Sequence, residues 1–221
     1  MPGAPEAPVE PQEKTLRAAE QDRAEIIQER AAYLAKVSQL DPAQLVFFDE
    51  SGVTTKMTRR HARAPRGQRA LGSVPFGWER LTLLGALGRE GMVASMSIEA
   101  ATSTPVFLAF LEQVLVPALV ERKPGATVIM DNLRAQHAPA VEPLLKAAGR
   151  QLLDVPRYSP DLSPIELGWA KLKEQLRTTA ARDLPSLEAE LGPAFAAITP
   201  QDARGWFRHC GYSAQPTSNP L

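Results

Sequence analysis

Asp49, Asp131 and Glu166 are the residues of this chain whose types and settings point to chemistry. Asp49 closes the apolar run Gln44 to Glu50, just before Ser51-Gly52. Asp131 follows the β-branched run Ala126 to Met130, and Glu166 falls in the first turn of a helix opened by Pro164. Each acid therefore stands at the end of a rigid element beside a loop, which suits a carboxylate that must keep a fixed position. Three converging carboxylates can hold hard divalent cations such as Mg²⁺, which take oxygen ligands and bind through a few carboxylates together with substrate phosphates. A pair of ions about 3.5 to 4 Å apart clamps the attacking and leaving oxygens of an in-line phosphoryl displacement. Each acid also has a simpler reading. An Asp at a strand end is often a turn former, and Ser163-x-x-Glu166 is a capping box that would satisfy backbone N–H groups at the helix start.

Short strands must carry the first two acids. Besides the run ending at Asp49, strands are expected over Leu81 to Leu87 and Met92 to Ile98, parted by the turn Gly88 to Gly91, and over Ala126 to Met130 and Gln151 to Asp154. The first three suggest an antiparallel meander. Residues 14–40 read as one amphipathic helix ended before Asp41-Pro42, and residues 1–13, with four prolines and three glutamates, as a disordered leader. Further helices are expected from Pro105 to the stop at Lys123-Pro-Gly125, over Ala138 to Ala148, from Pro164 to about Arg177, over Ser186 to Ile198, and over Pro200 to Cys210 with Thr199-x-x-Asp202 as its cap. Residues 41–213 would form the catalytic unit and residues 214–221 a frayed tail.

The bulk numbers exclude several classes. A chain of 221 residues, 44% hydrophobic, can bury one proper core, and 25 basic against 25 acidic residues leave any nucleic-acid surface to local charge. Cys210 is the only cysteine, which rules out an internal disulfide or a cysteine-rich zinc module, and no role is assigned to it or to His209. The chain start lacks the basic and apolar regions of a signal peptide, so the cytosol is expected. The apolar stretch Val106 to Val120, interrupted by Glu112, Gln113 and Pro117, is short for a bilayer span, so no membrane partner is expected.

The spacing of the acids and the residues around them are specific. Thirty-four residues lie between Asp131 and Glu166, and the chain reads FFDESG, VIMDNLRAQHAP and PRYSPDLSPIELGWAKLK around its three acids. It resembles the bacterial insertion-sequence transposases of the mariner superfamily over about Leu45 to Arg177. The resemblance implies an α/β, ribonuclease-H-like mixed sheet flanked by helices, with an Asp, Asp, Glu triad and this same interval. It also implies two Mg²⁺ ions, with Mn²⁺ as a substitute, held by Asp49, Asp131 and Glu166. Implied partners are the transposon ends and target DNA, bound by a homodimer in the bacterial cytosol. Relatives read Pro-Pro-Tyr-Ser-Pro and Asn-Pro-x-Glu where this chain has Arg157 and Ser163. They also carry helix-turn-helix domains, for which the first 40 residues have no room. A separate DNA-binding polypeptide, or a truncated copy, is the corresponding expectation.

Local charge supports a DNA surface. No acidic residue lies between Glu50 and Glu79, while Lys56, Arg59, Arg60, Arg63, Arg66 and Arg69 follow the first acid with His61 among them. Arg157 beside the loop, and Lys171, Lys173 and Arg177 on the Glu166 helix, extend that basic set. Tyr158 and Trp169 are candidates for stacking on a base, with core packing an equal reading for Trp169, and His137 is a minor phosphate or acid-base candidate. A solvated basic loop is the simpler reading of the first cluster.

Four alternatives differ in class. A haloacid-dehalogenase phosphatase needs a second Asp two residues after the first, where this chain has Ser51, and no P-loop motif is present. A ribonuclease-H-like nuclease would use similar carboxylates. A domesticated or truncated transposase domain would bind DNA or a protein without cutting.

Overall fold

A computed structural model describes residues 18–131 and 138–213. The expected leader over 1–13, the frayed tail over 214–221 and His137 lie outside the described residues. Five strands form one mixed sheet in the order β3-β2-β1-β4-β5. They are β1 (Leu45–Thr54), β2 (Arg80–Gly88), β3 (Gly91–Ile98), β4 (Thr127–Asp131) and β5 (Gln151–Val155). The first three form the expected antiparallel meander, and β4 and β5 add to β1 in parallel.

Alternation along the strands decides which layer each side chain joins. Leu45, Phe47 and Val53 of β1 and Ile129 of β4 face one core, whereas Val46, Phe48, Val128 and Met130 face the other. Both faces are covered, which explains why β1 and β2 read as nearly continuous apolar runs. One layer holds α1 (Ala24–Val37), α5 (Pro164–Thr179), α6 (Leu184–Ala196) and α7 (Pro200–His209). The opposite layer holds the rod α2 (Thr104–Phe110), a π-helical stretch (Leu111–Leu115) and α3 (Val116–Arg122), together with α4 (Ala138–Ala147). That rod, Thr104–Arg122, is long and apolar enough by length and composition to cross a membrane, longer than the apolar stretch read from the sequence. Its Phe107, Phe110, Leu111, Leu115 and Leu119 are buried against the sheet.

Two expectations change. The leading helix is interrupted: a 3₁₀ turn (Ala19–Asp22) precedes α1, and Arg23 between them is extended, with ψ 138°. The first strand does not stop at Ser51-Gly52 but continues to Thr54. Its antiparallel pairing with β2 runs unbroken from Val46↔Gly88 to Thr54↔Arg80, and that ladder outweighs the local turn preference. Asp49 is therefore inside β1, opposite Gly85. What ends near it is the parallel pairing, whose last register partner is Phe47↔Ile129. Beyond that point β1 and β4 part, and a crevice opens at the carboxyl ends of the parallel strands, where open α/β sheets bind ligands.

Candidate active site at the carboxyl ends of the parallel strands

The three acids share one side of the sheet for a simple reason. Asp49 is two residues beyond Phe47, and Asp131 two beyond Ile129, so both project toward the layer that contains α5. Glu166 comes from the first turn of α5. Asp49, Asp131 and Glu166 all line one cavity of about 480 Å³, whose remaining wall is mostly the loop from Val155 to Pro160. Asp49 is half-buried, whereas Asp131 and Glu166 are exposed at its opening. Among the described residues, no three acidic, histidine or cysteine side chains are gathered closely enough to ligate a metal by themselves. The acids surround the cavity without touching across it.

The capping reading of Glu166 does not hold. Ser163 is the N-cap of α5 but makes no side-chain cap hydrogen bond, whereas Thr199 and Asp202 at α7 form the full reciprocal box. Burial raises the Glu166 carboxyl above its ordinary value of 4.5; Lys173 pulls it back and Asp131 pushes it further up. Lys173, two turns along α5, is half-buried, and burial lowers its ammonium while Glu166 and Asp49 hold it charged. The cavity therefore has a surplus of negative charge with one lysine close by. Asp154 on β5 does not line the cavity; burial, Glu142 and Asp131 raise its carboxyl and only Lys36 opposes them.

The expected DNA-contacting residues fall into two groups. Arg59, Arg60, Arg63 and Arg66 are exposed on the connection between β1 and β2, where Arg69 is exposed too. Lys56 on the same connection lies over the Trp78 ring, 3.7 Å from its centre. That connection joins adjacent antiparallel strands yet is far longer than a hairpin needs. Arg182, unremarked in the sequence, holds it: its guanidinium donates to the carbonyls of Thr55 and Met57 at 3.1 Å and of Ser73 at 3.3 Å.

The others are engaged elsewhere. Lys171 donates to Asp202 at 2.5 Å, on a different face of α5 from Glu166, and Arg157 at the cavity rim is paired with Glu29. Tyr158 is exposed on the cavity wall in the left-handed region, with φ 57°. Its carbonyl accepts from Gln21 Nε2 at 2.6 Å. Trp169 is 2% exposed, which removes it as a stacking platform, and its indole Nε1 donates to Asp49 Oδ2 at 3.0 Å. Its position three residues after Glu166 was the one signal in the sequence that it shares a helix face with the site. Cys210 is buried, and that burial raises its thiol to about 11, consistent with an inert core residue.

A mixed five-stranded sheet of this order, covered by helices on both faces, is a ribonuclease-H-like fold. The family profile described as DDE superfamily endonuclease matches residues 44–188, and the chain belongs to that family. Among solved structures it is similar to the Mos1 transposase paired-end complex with left transposon end, at a TM-score of 0.75 and 18% identity, over 91% of this chain and 63% of that one. The Mos1 strand transfer complex gives 0.72 and 18% over 90% and 63%, and the catalytic domain of Mos1 mariner transposase alone gives 0.61 and 15% over 84% and 87%. The chain thus spans about 63% of the length of the Mos1 chains in those DNA complexes. No curated protein matches it in sequence.

Proposed function

We propose that this chain is the catalytic domain of a DNA transposase of the mariner superfamily, of the bacterial insertion-sequence type, acting on cytosolic DNA. It would cut transposon ends by hydrolysis and join the freed 3′-hydroxyl to target DNA. The observation that carries this reading is the placement of Asp49, Asp131 and Glu166 around one cavity where β1 and β4 part. The donor set fits two Mg²⁺ ions, or Mn²⁺ in their place. It is all oxygen, and Asp131 raises the Glu166 carboxyl, a repulsion that cations relieve. Asp49, Asp131 and Glu166 would hold the ions, which when bound neutralise charge on the phosphate and lower the pKa of water.

The chain's own residues do the rest. The acids, set on a sheet and a helix start, fix where the scissile phosphate is held, and positioning supplies much of the acceleration in phosphoryl transfer. Lys173 places a cation beside Glu166 and Asp49. The basic connection after β1 tracks the phosphate backbone, and its exposed Leu71 and Phe76 offer apolar surface for a second copy on paired ends. Recognition of transposon ends would fall to a DNA-binding unit outside these 221 residues, whether on this polypeptide or another.

The test is nicking of supercoiled DNA in Mg²⁺ or Mn²⁺ by the whole chain and by Asp131→Asn. Metal-dependent nicking that disappears in the variant supports the enzyme. Binding without nicking by the unchanged chain makes it a DNA-binding module, and preferential cutting of an RNA–DNA hybrid makes it a ribonuclease-H-like nuclease.

A further inference from the structure

Glu166, Trp169 and Lys173 follow one another along a single face of α5. The first lines the cavity, the last lies near Glu166 and Asp49, and the middle one reaches across to β1. Trp169 bridges 120 residues of sequence to give its only side-chain N–H to the carboxylate of Asp49. A buried indole needs an acceptor for that N–H, and the core around Trp169 offers apolar neighbours such as Phe195, whose ring lies 6.3 Å away. The acceptor it has is one of the three acids of the site.

The approach depends on Gly85. This residue is the cross-strand partner of Asp49, and a Cβ built on it would lie 2.5 Å from Trp169 Cη2 and 2.9 Å from Cζ2. Real Cβ atoms essentially never come so close, so the bare backbone of β2 at this one position lets the indole cross it to reach Asp49. The chain has therefore matched a glycine on one strand to a tryptophan on a helix, and the result of the match is a hydrogen bond at an acid on the neighbouring strand.

We infer that Trp169 is a positioning residue that orients Asp49 for metal binding, with Gly85 providing the clearance. The inference rests on the reading of Asp49 as a metal ligand. The hydrogen bond takes one direction on Oδ2 and restricts rotation of the carboxylate about its Cβ–Cγ bond, so that Asp49 is set before an ion arrives. Because Trp169 and Glu166 belong to the same helix turn, the strut also ties the first acid to the third. A shift of α5 moves both together.

The test measures Mn²⁺ binding to the whole chain by electron paramagnetic resonance, alongside its melting temperature. Four proteins are compared: unchanged, Asp49→Asn, Trp169→Phe, and a chain with 3-benzothienylalanine at 169. That last side chain keeps the size and shape of the indole and lacks the N–H. Outer-shell partners of ligating groups are worth about 10- to 100-fold in metal affinity, so the benzothienyl chain should bind Mn²⁺ 10- to 100-fold more weakly at an unchanged melting temperature. Trp169→Phe should show the same loss of affinity with some loss of stability, which the benzothienyl chain separates from it. Mn²⁺ affinity equal to that of the unchanged chain, while Asp49→Asn is weakened, overturns the positioning role and leaves the metal site standing. No Mn²⁺ binding by the unchanged chain, with or without a short duplex, overturns the metal-site reading and this inference with it.

Discussion

Arg157 donates to both carboxylate oxygens of Glu29, at 3.2 Å from Nε and 2.5 Å from a terminal nitrogen. A cation at the cavity rim is thereby held by the first helix. The neighbouring pair is similar, since Arg30 donates twice to Asp161 at 3.0 and 2.6 Å. The turn before α1 and α1 itself thus pin both ends of the loop that walls the cavity, by contacts between segments more than 120 residues apart.

Releasing Arg157 should strengthen DNA binding. Surface pairs of this kind are readily screened and exchanged, and each phosphate newly neutralised steepens the salt dependence of binding by about 0.9 in log–log slope. Glu29→Gln should therefore steepen the slope for duplex DNA by about one, measured by fluorescence anisotropy across a salt series. An unchanged slope would show that Arg157 does not reach phosphate even when freed.

Acid should selectively remove the contribution of Asp202. Its carboxyl is held down at about 2 by the hydrogen bond from Lys171 and then by those from Thr199. A depressed carboxylate pKa gives stability that is present above its ordinary value of 3.8 and lost as pH falls through about 2. Asp202→Asn removes the negative charge from the acceptor shared by Lys171 and Thr199, a change of about 1 kcal/mol at this partly exposed pair, and should lower the melting temperature by roughly 2–4 °C at pH 7. The difference between the two proteins should vanish as the pH approaches 2.

The buried tyrosine pair should show an order of effects. Tyr212 donates to the Leu162 carbonyl at 2.6 Å, so the 2.8 Å contact between the two hydroxyls has Tyr33 as donor. Tyr33→Phe removes one hydrogen bond, about 0.5–1.5 kcal/mol. Tyr212→Phe also strands the buried Tyr33 hydroxyl and should cost more, about 1–3 kcal/mol. The double variant should recover part of that loss in urea unfolding. Equal costs for the two single variants would contradict the donor order.

The basic connection should loosen when Arg182 is changed. One guanidinium serves three carbonyls from both arms of the connection, a geometry a lysine ammonium cannot reproduce. Arg182→Lys should speed amide hydrogen exchange over residues 56–79 severalfold while leaving the sheet protected. Uniform acceleration across β1 and β2 would mean that Arg182 stabilises the whole fold.

Periodicity in the sequence located the strands, but that Asp49 and Asp131 face the same side follows from the parallel register that sets Phe47 opposite Ile129 in one core. The residues flanking each acid were enough to point to an endonuclease of the DDE superfamily, whose profile matches residues 44–188. The sequence did not reveal that Ser51-Gly52 continues β1, because a nine-pair ladder to β2 overrides a local turn preference only once β2 is in place. Nor did it show that Glu166 is free of the cap, since Ser163-x-x-Glu166 is compatible with either outcome. The bond from Trp169 to Asp49 and the clearance at Gly85 needed three elements packed together. Periodicity and motif spacing are local along the chain and so legible in it. The partner of a side chain is set by packing between distant segments, and only the tertiary structure decides it.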